Sequence, residues 1–159
     1  MTESTTIWLR RLALVRGHRT QYRGAYGIIT LLLRLIAVVL LAWIGYIHLH
    51  LWQEGYRHIR IDGPFFLLDA VAAFVFAAAL LAWPRPLIGL LAAGFTASTL
   101  GALVISLTVG LFGFKESITA SFVVASLAVE SITVLLLLGW GVLTAARLAG
   151  QVPPVRPGR

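Results

Sequence analysis

The sequence of 159 residues contains no cysteine, and only 12% of its residues are charged. Without a thiol, this chain can form no disulfide, thiolate metal site, iron–sulfur cluster or dithiol redox centre of its own. Soluble domains carry charges on about 25% of their residues, so this chain has too few charges to cover a water-facing surface. These two absences exclude a soluble globular domain and catalysis by cysteine.

Apolar residues are abundant instead, at 59% of the chain. They form four runs, each long enough to cross a hydrocarbon core of about 30 Å as a helix. The sequence Trp83-Pro84-Arg85-Pro86 separates the second run from the third, since proline cannot continue a helix. The sequence therefore predicts an all-α integral membrane four-helix bundle in one domain, residues 26–147, with spans at 26–51, 64–83, 87–112 and 118–143.

The flanking segments are polar and basic. Segment 1–25 has apolar residues partly at helical spacing, which predicts a short amphipathic helix that lies at the membrane interface and contacts anionic headgroups. Segment 148–159 is basic and rich in proline, which predicts a disordered tail. The net charge of +7 is concentrated in these tails. This distribution favours an anionic lipid surface over nucleic acid as the partner.

The basic residues also predict the orientation. With the N-terminus inside, nine Lys and Arg residues flank the inner side and three flank the outer side: Arg57, Arg60 and Lys115. The positive-inside rule then places both termini in the cytoplasm. Twelve of the thirteen basic residues are arginine, which is typical of a GC-rich bacterial genome. We therefore expect a bacterial cytoplasmic membrane protein.

Three ionisable residues lie within the spans: Arg34, Asp69 and Glu130. Each costs at least about 2.5–3.5 kcal/mol at mid-bilayer unless it has a partner. Counted from the predicted span ends, Arg34 and Glu130 both lie about 12 Å above the inner boundary. This predicts an ion pair that is either a latch fixing helix register or part of a binding or proton site. Asp69 is expected to reach His48, Lys115 or water on the outer side.

A cluster of polar side chains surrounds the outer end of the first span, and its histidines are His48, His50 and His58. Imidazoles beside carboxylates suit zinc, copper or another divalent ion. The spacing His-x-His places two rings on different faces of a helix, which is a poor arrangement for shared ligation. The alternative is an interfacial belt of amphipathic rings. The sequence leaves both interpretations open.

The third span carries small residues at intervals of four: Gly94, Ser98, Ala102, Ser106 and Gly110. In lipid, a stripe of small residues lets two helix backbones approach closely. We therefore expect this face to make the tightest helix contact. The contact is either inside the bundle or with a second copy or a partner protein.

The stretch Leu32-Leu33-Arg34-Leu35-Ile36, continued by Ala42 to Leu49, resembles the first helix of DoxX-like four-helix membrane proteins. There, a Leu-Arg-Leu start is followed by an apolar run and a glycine before a polar exit. The resemblance implies an accessory membrane subunit, linked in some members to quinone or thiol redox complexes, and it places Arg34 at the first-helix arginine of the family. In this chain, His48-Leu49-His50 replaces the glycine-and-lysine exit of many members.

The absence of a nucleophile or a clear ligand set favours a non-catalytic protein. We expect an accessory or scaffold subunit that binds partner membrane proteins through its helix faces. One alternative is a DoxX-like redox component that holds a quinone or small solute in a cavity within the bundle. Another is a small transporter made of several copies, with Glu130 lining the pathway. The sequence identifies no cofactor.

Overall fold

The computed structural model describes residues 25–150, with side chains for 27–147. It contains four long helices: α1 (Ala25–Glu54), α2 (Asp62–Ala82), α3 (Pro86–Thr108) and α4 (Val123–Gly150). A short 3₁₀ helix, Tyr56–His58, lies between α1 and α2. All four α-helices are long and apolar enough to cross a membrane, which confirms the all-helical, four-span prediction. The predicted interfacial helix and all but the first residues of the predicted tail lie outside the described residues.

The connection between α3 and α4 is longer than the sequence predicted. Helix α3 ends at Thr108 and α4 begins at Val123, whereas the predicted boundaries were 112 and 118. Glycine at 110 and 113 and phenylalanine at 112 all have positive φ, at 88°, 85° and 49°. Left-handed backbone ends a helix, because only isolated residues adopt it. The segment 109–122 therefore forms a structured loop.

Helix packing leaves one side of the bundle loosely closed. Helix α1 packs along α2 and α4, and α3 packs along α4. Helices α2 and α3 touch least among neighbours, and within the described residues the diagonal pairs do not touch. We call the end of the bundle that holds segments 55–61 and 109–122 the loop end. The opposite end, where residues 83–85 join α2 to α3, is the turn end.

The apolar core lies toward the turn end. Leu41, Leu80 and Leu137 are fully buried there, together with Trp140. The indole Nε1 of Trp140 donates a hydrogen bond to the backbone oxygen of Thr30 at 3.1 Å, which ties α4 to α1. A well-packed core fixes the helix positions at this end because interiors pack at crystal-like density.

The predicted small-residue stripe is not the tight face of α3. Gly94 and Ser98 are exposed, and a Cβ atom added at Gly94 would meet nothing within 4 Å. The close approach occurs instead at Gly89, where an added Cβ would lie 2.6 Å from the Trp140 ring. The expectation of the tightest internal contact along the stripe is therefore wrong. A contact with a second copy or a partner protein stays a prediction.

Candidate functional site

A cavity of about 700 Å³ lies between α2 and α3, in the half of the bundle toward the loop end. It fills the space that the loose contact between these helices leaves open. Its rim includes exposed residues of both helices, Leu68 on α2 and Ile105 on α3. The cavity therefore opens sideways, through the face of the bundle that would meet lipid. Its polar lining residues are His48, Tyr56, Asp62, Asp69, Ser98, Thr99, Ser106, Glu116, Ser126 and Glu130.

Glu130 on α4 supplies the most deeply placed carboxyl group of the cavity wall. Its side chain is only 1% exposed. The Thr99 hydroxyl on α3 donates a hydrogen bond to its Oε2 at 3.0 Å, and the same hydroxyl lies 2.9 Å from the Thr96 carbonyl oxygen. Ser126 and Thr133 are also buried on α4, and the Thr133 hydroxyl donates to the Val129 carbonyl oxygen.

Asp69 and His48 lie on the opposite wall, on α2 and α1. The Nε2 atom of His48 is 4.0 Å from Oδ2 of Asp69, which confirms that Asp69 reaches this histidine. The other ring nitrogen, Nδ1, is 2.9 Å from the Ile44 carbonyl oxygen. Asp69 and Glu130 both line the cavity. His48, Asp69 and Glu130 each lie six or seven residues from the loop end of their helix, so the three side chains are at a similar depth.

Arg34 does not join this group, and the predicted ion pair with Glu130 is wrong. The Arg34 guanidinium donates to the backbone oxygen of Leu81 near the end of α2. Because α4 begins at Val123, Glu130 is seven residues, or about 10 Å, from the loop end. Arg34 precedes His48 by fourteen residues, or about 21 Å along α1. Arg34 therefore serves the turn end and Glu130 the loop end.

The loop 109–122 covers the cavity at the loop end. Leu111 and Phe114 exchange two backbone hydrogen bonds of 2.7 and 2.8 Å around a two-residue turn. Both turn residues, Phe112 and Gly113, have positive φ, as a type I′ turn requires. The turn stacks the Phe112 ring on Phe65 of α2, with ring centroids 5.7 Å apart. This pair bridges α2 and the loop at the outer rim.

A second contact holds the loop against the 3₁₀ helix and α3. The Tyr56 hydroxyl donates to Oε2 of Glu116 at 2.6 Å. The backbone N–H of Glu116 lies 3.2 Å from the Ser106 carbonyl oxygen at the end of α3. Burial, and then the hydrogen bond to Glu116 and the charge of that residue, raise the pKa of the Tyr56 phenol. Tyr56 therefore stays a hydrogen-bond donor at neutral pH.

The three histidines of the predicted metal site have separate surroundings. His48 faces Asp69, whereas His50 lies 3.2 Å from Glu54 on its own helix and stacks on Tyr46. His58 accepts a hydrogen bond from Arg57. Within residues 25–150, no group of three or more His, Asp or Glu side chains is arranged to hold a metal ion. The described residues do not bring these histidines together.

Comparisons with protein-family models, curated proteins and solved structures give no match for this chain. The resemblance to DoxX-like proteins therefore stays a prediction.

Two polar residues of the site escaped the sequence interpretation. Thr99 lies one position after Ser98 and so is not a member of the small-residue stripe. Glu116 lies between the predicted third and fourth spans. The buried positions of α3, Gly89, Ala92, Thr96 and Thr99, repeat at three and four residues. That spacing was the available signal for Thr99, although no comparable pattern marks Glu116.

Proposed function

We propose that this chain is an integral membrane protein that binds a small, largely apolar molecule carrying one polar group in the cavity between α2 and α3. The observation that carries the proposal is the buried Glu130 carboxyl in the wall of a 700 Å³ cavity. Ligand pockets have volumes of about 300–1,000 Å³, apolar walls and a few convergent polar groups. An ionisable residue inside a span is costly, which makes it a candidate for a functional site.

The orientation and location of the cavity belong to the same proposal. The excess of basic residues at the turn end and in the tails supports a cytoplasmic placement of both termini. The cavity then opens toward the outer leaflet of a bacterial cytoplasmic membrane. Single cysteines test this directly, since the chain has no native cysteine. Thr119→Cys should react with a membrane-impermeant maleimide added outside cells, and Ala82→Cys should react only after lysis; the reverse pattern contradicts the orientation.

Retention of a ligand during purification tests the binding function. Ala102 lines the cavity, and Ala97 on the same helix is exposed outside it. Ala102→Phe should fill the cavity, whereas Ala97→Phe is its matched control. Native mass spectrometry of protein in mild detergent should show a bound small molecule on the wild type and on Ala97→Phe, and none on Ala102→Phe. An identical adduct on all three proteins would contradict the proposal.

The redox alternative is less well supported by the cavity chemistry. A quinone presents carbonyl oxygens, which accept hydrogen bonds, to a wall whose charged groups are carboxylates. Carbonyl oxygens and carboxylates both only accept hydrogen bonds, so the carboxylates of the wall favour a ligand that donates them. Transport would need a second opening at the turn end, where Trp140 fills the space beside Gly89.

A second candidate function, the accessory or scaffold role, is favoured by the open face of α3. Gly94 has no neighbour in the described structure that would block a second helix. Close helix contacts in lipid use such small residues. Gly94→Cys should form a disulfide-linked dimer under mild oxidation if a second copy packs there, or cross-link to a partner subunit. If neither the dimer nor a cross-linked partner forms, this candidate function is wrong.

A further inference from the structure

The charged groups of the cavity wall are acidic. Among the described residues that line it, four are acids, Asp62, Asp69, Glu116 and Glu130, and none is lysine or arginine. Lys115 belongs to the same loop, but its side chain is exposed and does not line the cavity. Glu116 is occupied by the Tyr56 hydroxyl. Asp62 is the first residue of α2 and lies about 10 Å along the helix from Asp69. Asp69 and Glu130 are therefore the acids that set the charge farther from the loop end.

His48 adds an acceptor to these two carboxyl groups. Its ring is nine-tenths buried, and the carbonyl oxygen of Ile44 can only accept, so Nδ1 carries a proton. In the neutral ring, Nε2 is then an acceptor that faces Asp69. The 4.0 Å between Nε2 and Oδ2 exceeds a hydrogen bond. A donor placed between the two atoms could serve both.

Asp69 and Glu130 line one cavity at membrane depth, and two carboxylates in such a cavity repel each other and lose hydration. A cation between them offsets both costs. A bare inorganic ion would leave most of the 700 Å³ empty. The remaining wall is apolar and partly aromatic, with Phe66, Phe95 and Leu103 among its residues. The wall therefore matches a positive charge attached to an apolar body.

We propose that the ligand of this cavity is a monovalent organic ammonium ion with an apolar, ring-containing body. Its N–H groups donate to the Asp69 and Glu130 carboxylates and to Nε2 of His48. Its apolar part lies between α2 and α3, and it enters sideways from the lipid. This inference rests on the proposed binding function and adds the charge and class of the ligand.

Three compounds of one carbon skeleton test the charge preference: 4-phenylbutylamine, 4-phenylbutanol and 4-phenylbutanoate. Binding is measured by isothermal titration calorimetry to the full chain in lipid nanodiscs, with empty nanodiscs subtracted. Hydrogen bonds to a charged partner predict that the amine binds about 10-fold to 100-fold more tightly than the alcohol. The carboxylate should bind more weakly than the alcohol.

Variants assign the preference to the two carboxyl groups. Asp69→Asn and Glu130→Gln keep the side-chain shape and can still accept hydrogen bonds, which preserves the contact with Thr99. Each should reduce amine affinity about tenfold and leave alcohol affinity unchanged. Glu54→Gln is the matched control, since Glu54 is the last residue of α1, at the loop end, and does not line the cavity. Helical circular dichroism and a monodisperse elution profile confirm that each variant is folded.

The outcomes separate this inference from the proposed function. Equal binding of amine and alcohol to the wild type would overturn the ammonium assignment and leave a binding cavity. An amine preference that survives in the Asp69→Asn, Glu130→Gln double variant would also overturn it. If none of the three compounds binds, and Ala102→Phe retains every adduct of the wild type, both proposals are wrong.

Discussion

The Thr99 hydroxyl lies 3.0 Å from Oε2 of Glu130 and joins the middle of α3 to α4. Both side chains are buried, at 7% and 1% exposure. This contact fixes the orientation of the carboxyl group that the cavity presents. It also links the packing of two helices to the chemistry of the site.

A double-mutant cycle of Thr99→Val and Glu130→Leu measures this contact, because leucine removes the acceptor. Hydrogen bonds between helices in a bilayer couple by about 0.6 kcal/mol on average and by at most about 1.7 kcal/mol. We expect a coupling free energy in this range from unfolding of the protein in mixed detergent micelles. Thr119→Val, on the exposed loop, is the control for loss of a hydroxyl and should show no coupling to Glu130→Leu. A coupling of zero for Thr99 would contradict the contact.

Arg34 is predicted to act on the end of α2 and not on Glu130. The last carbonyl groups of a helix lack partners within it, and a cationic side chain that bonds to one stabilises that end. Arg34→Leu should therefore cost about 1.5–3 kcal/mol of unfolding free energy, and Arg34→Lys should retain part of it.

Additivity separates this role from the ion pair that the sequence predicted. Arg34→Leu and Glu130→Leu should sum to within about 0.5 kcal/mol, as distant sites do. A double variant that is more stable than either single variant would restore the ion pair, since removing both partners leaves no orphan charge.

Two glycines of α3 provide a matched test of packing. At Gly89 an added Cβ would lie 2.6 Å from the Trp140 ring, whereas at Gly94 it would meet nothing within 4 Å. Gly89→Ala should destabilise the protein by about 1–3 kcal/mol through overpacking. Gly94→Ala should be neutral or stabilise it by up to about 1 kcal/mol, because alanine is the better helix former. Equal effects at both positions, measured by unfolding, would contradict the assigned packing face.

The contact between Tyr56 and Glu116 predicts a pH dependence. The pKa of Tyr56 is raised in the folded protein, mainly by burial, above the usual value of about 10. A raised pKa favours the protonated phenol in the folded state, so its contribution is fully present below about pH 10 and is lost as pH rises through the folded pKa. Tyr56→Phe should cost about 1 kcal/mol at pH 7, and the difference from wild type should change only above pH 10.

Thermal unfolding between pH 7 and 11 checks this sign, with Tyr46→Phe as the control because Tyr46 is exposed. Tyr56→Phe should also speed proteolytic cleavage within segment 109–122, which the contact holds against the 3₁₀ helix. A steady loss of the difference between pH 7 and 9 would contradict the raised pKa.

The number of helices and the position of the link between α2 and α3 could be predicted from the sequence, since long apolar runs and proline are strong signals. The faces of the helices could not. In a soluble helix the apolar side marks the core, but a helix in lipid is apolar toward both the core and the membrane. Gly94 and Thr99 show the result, because the small residue lies on the open face and the polar one on the packed face.

The error at Arg34 and Glu130 has a separate cause. Depth was counted from the end of an apolar run, and the run 118–122 is loop instead of helix. Phe122, at φ 63°, ends that loop immediately before α4. A positive φ at a non-glycine residue leaves no clear mark in a sequence. A shift of five residues at one helix start moved Glu130 by about 7 Å and exchanged its partner.

At the turn end, the short link 83–85 connects α2 directly to α3. At the loop end these two helices are not connected to each other, because α3 continues into the loop that leads to α4. The two helices can therefore separate only by moving apart at the loop end, while the turn end acts as a hinge. A bulkier guest would widen the gap between α2 and α3 more near the loop end than near the turn end. Tolerance for substituents should rise along the guest toward the membrane surface, and the innermost group should be the most restricted in size.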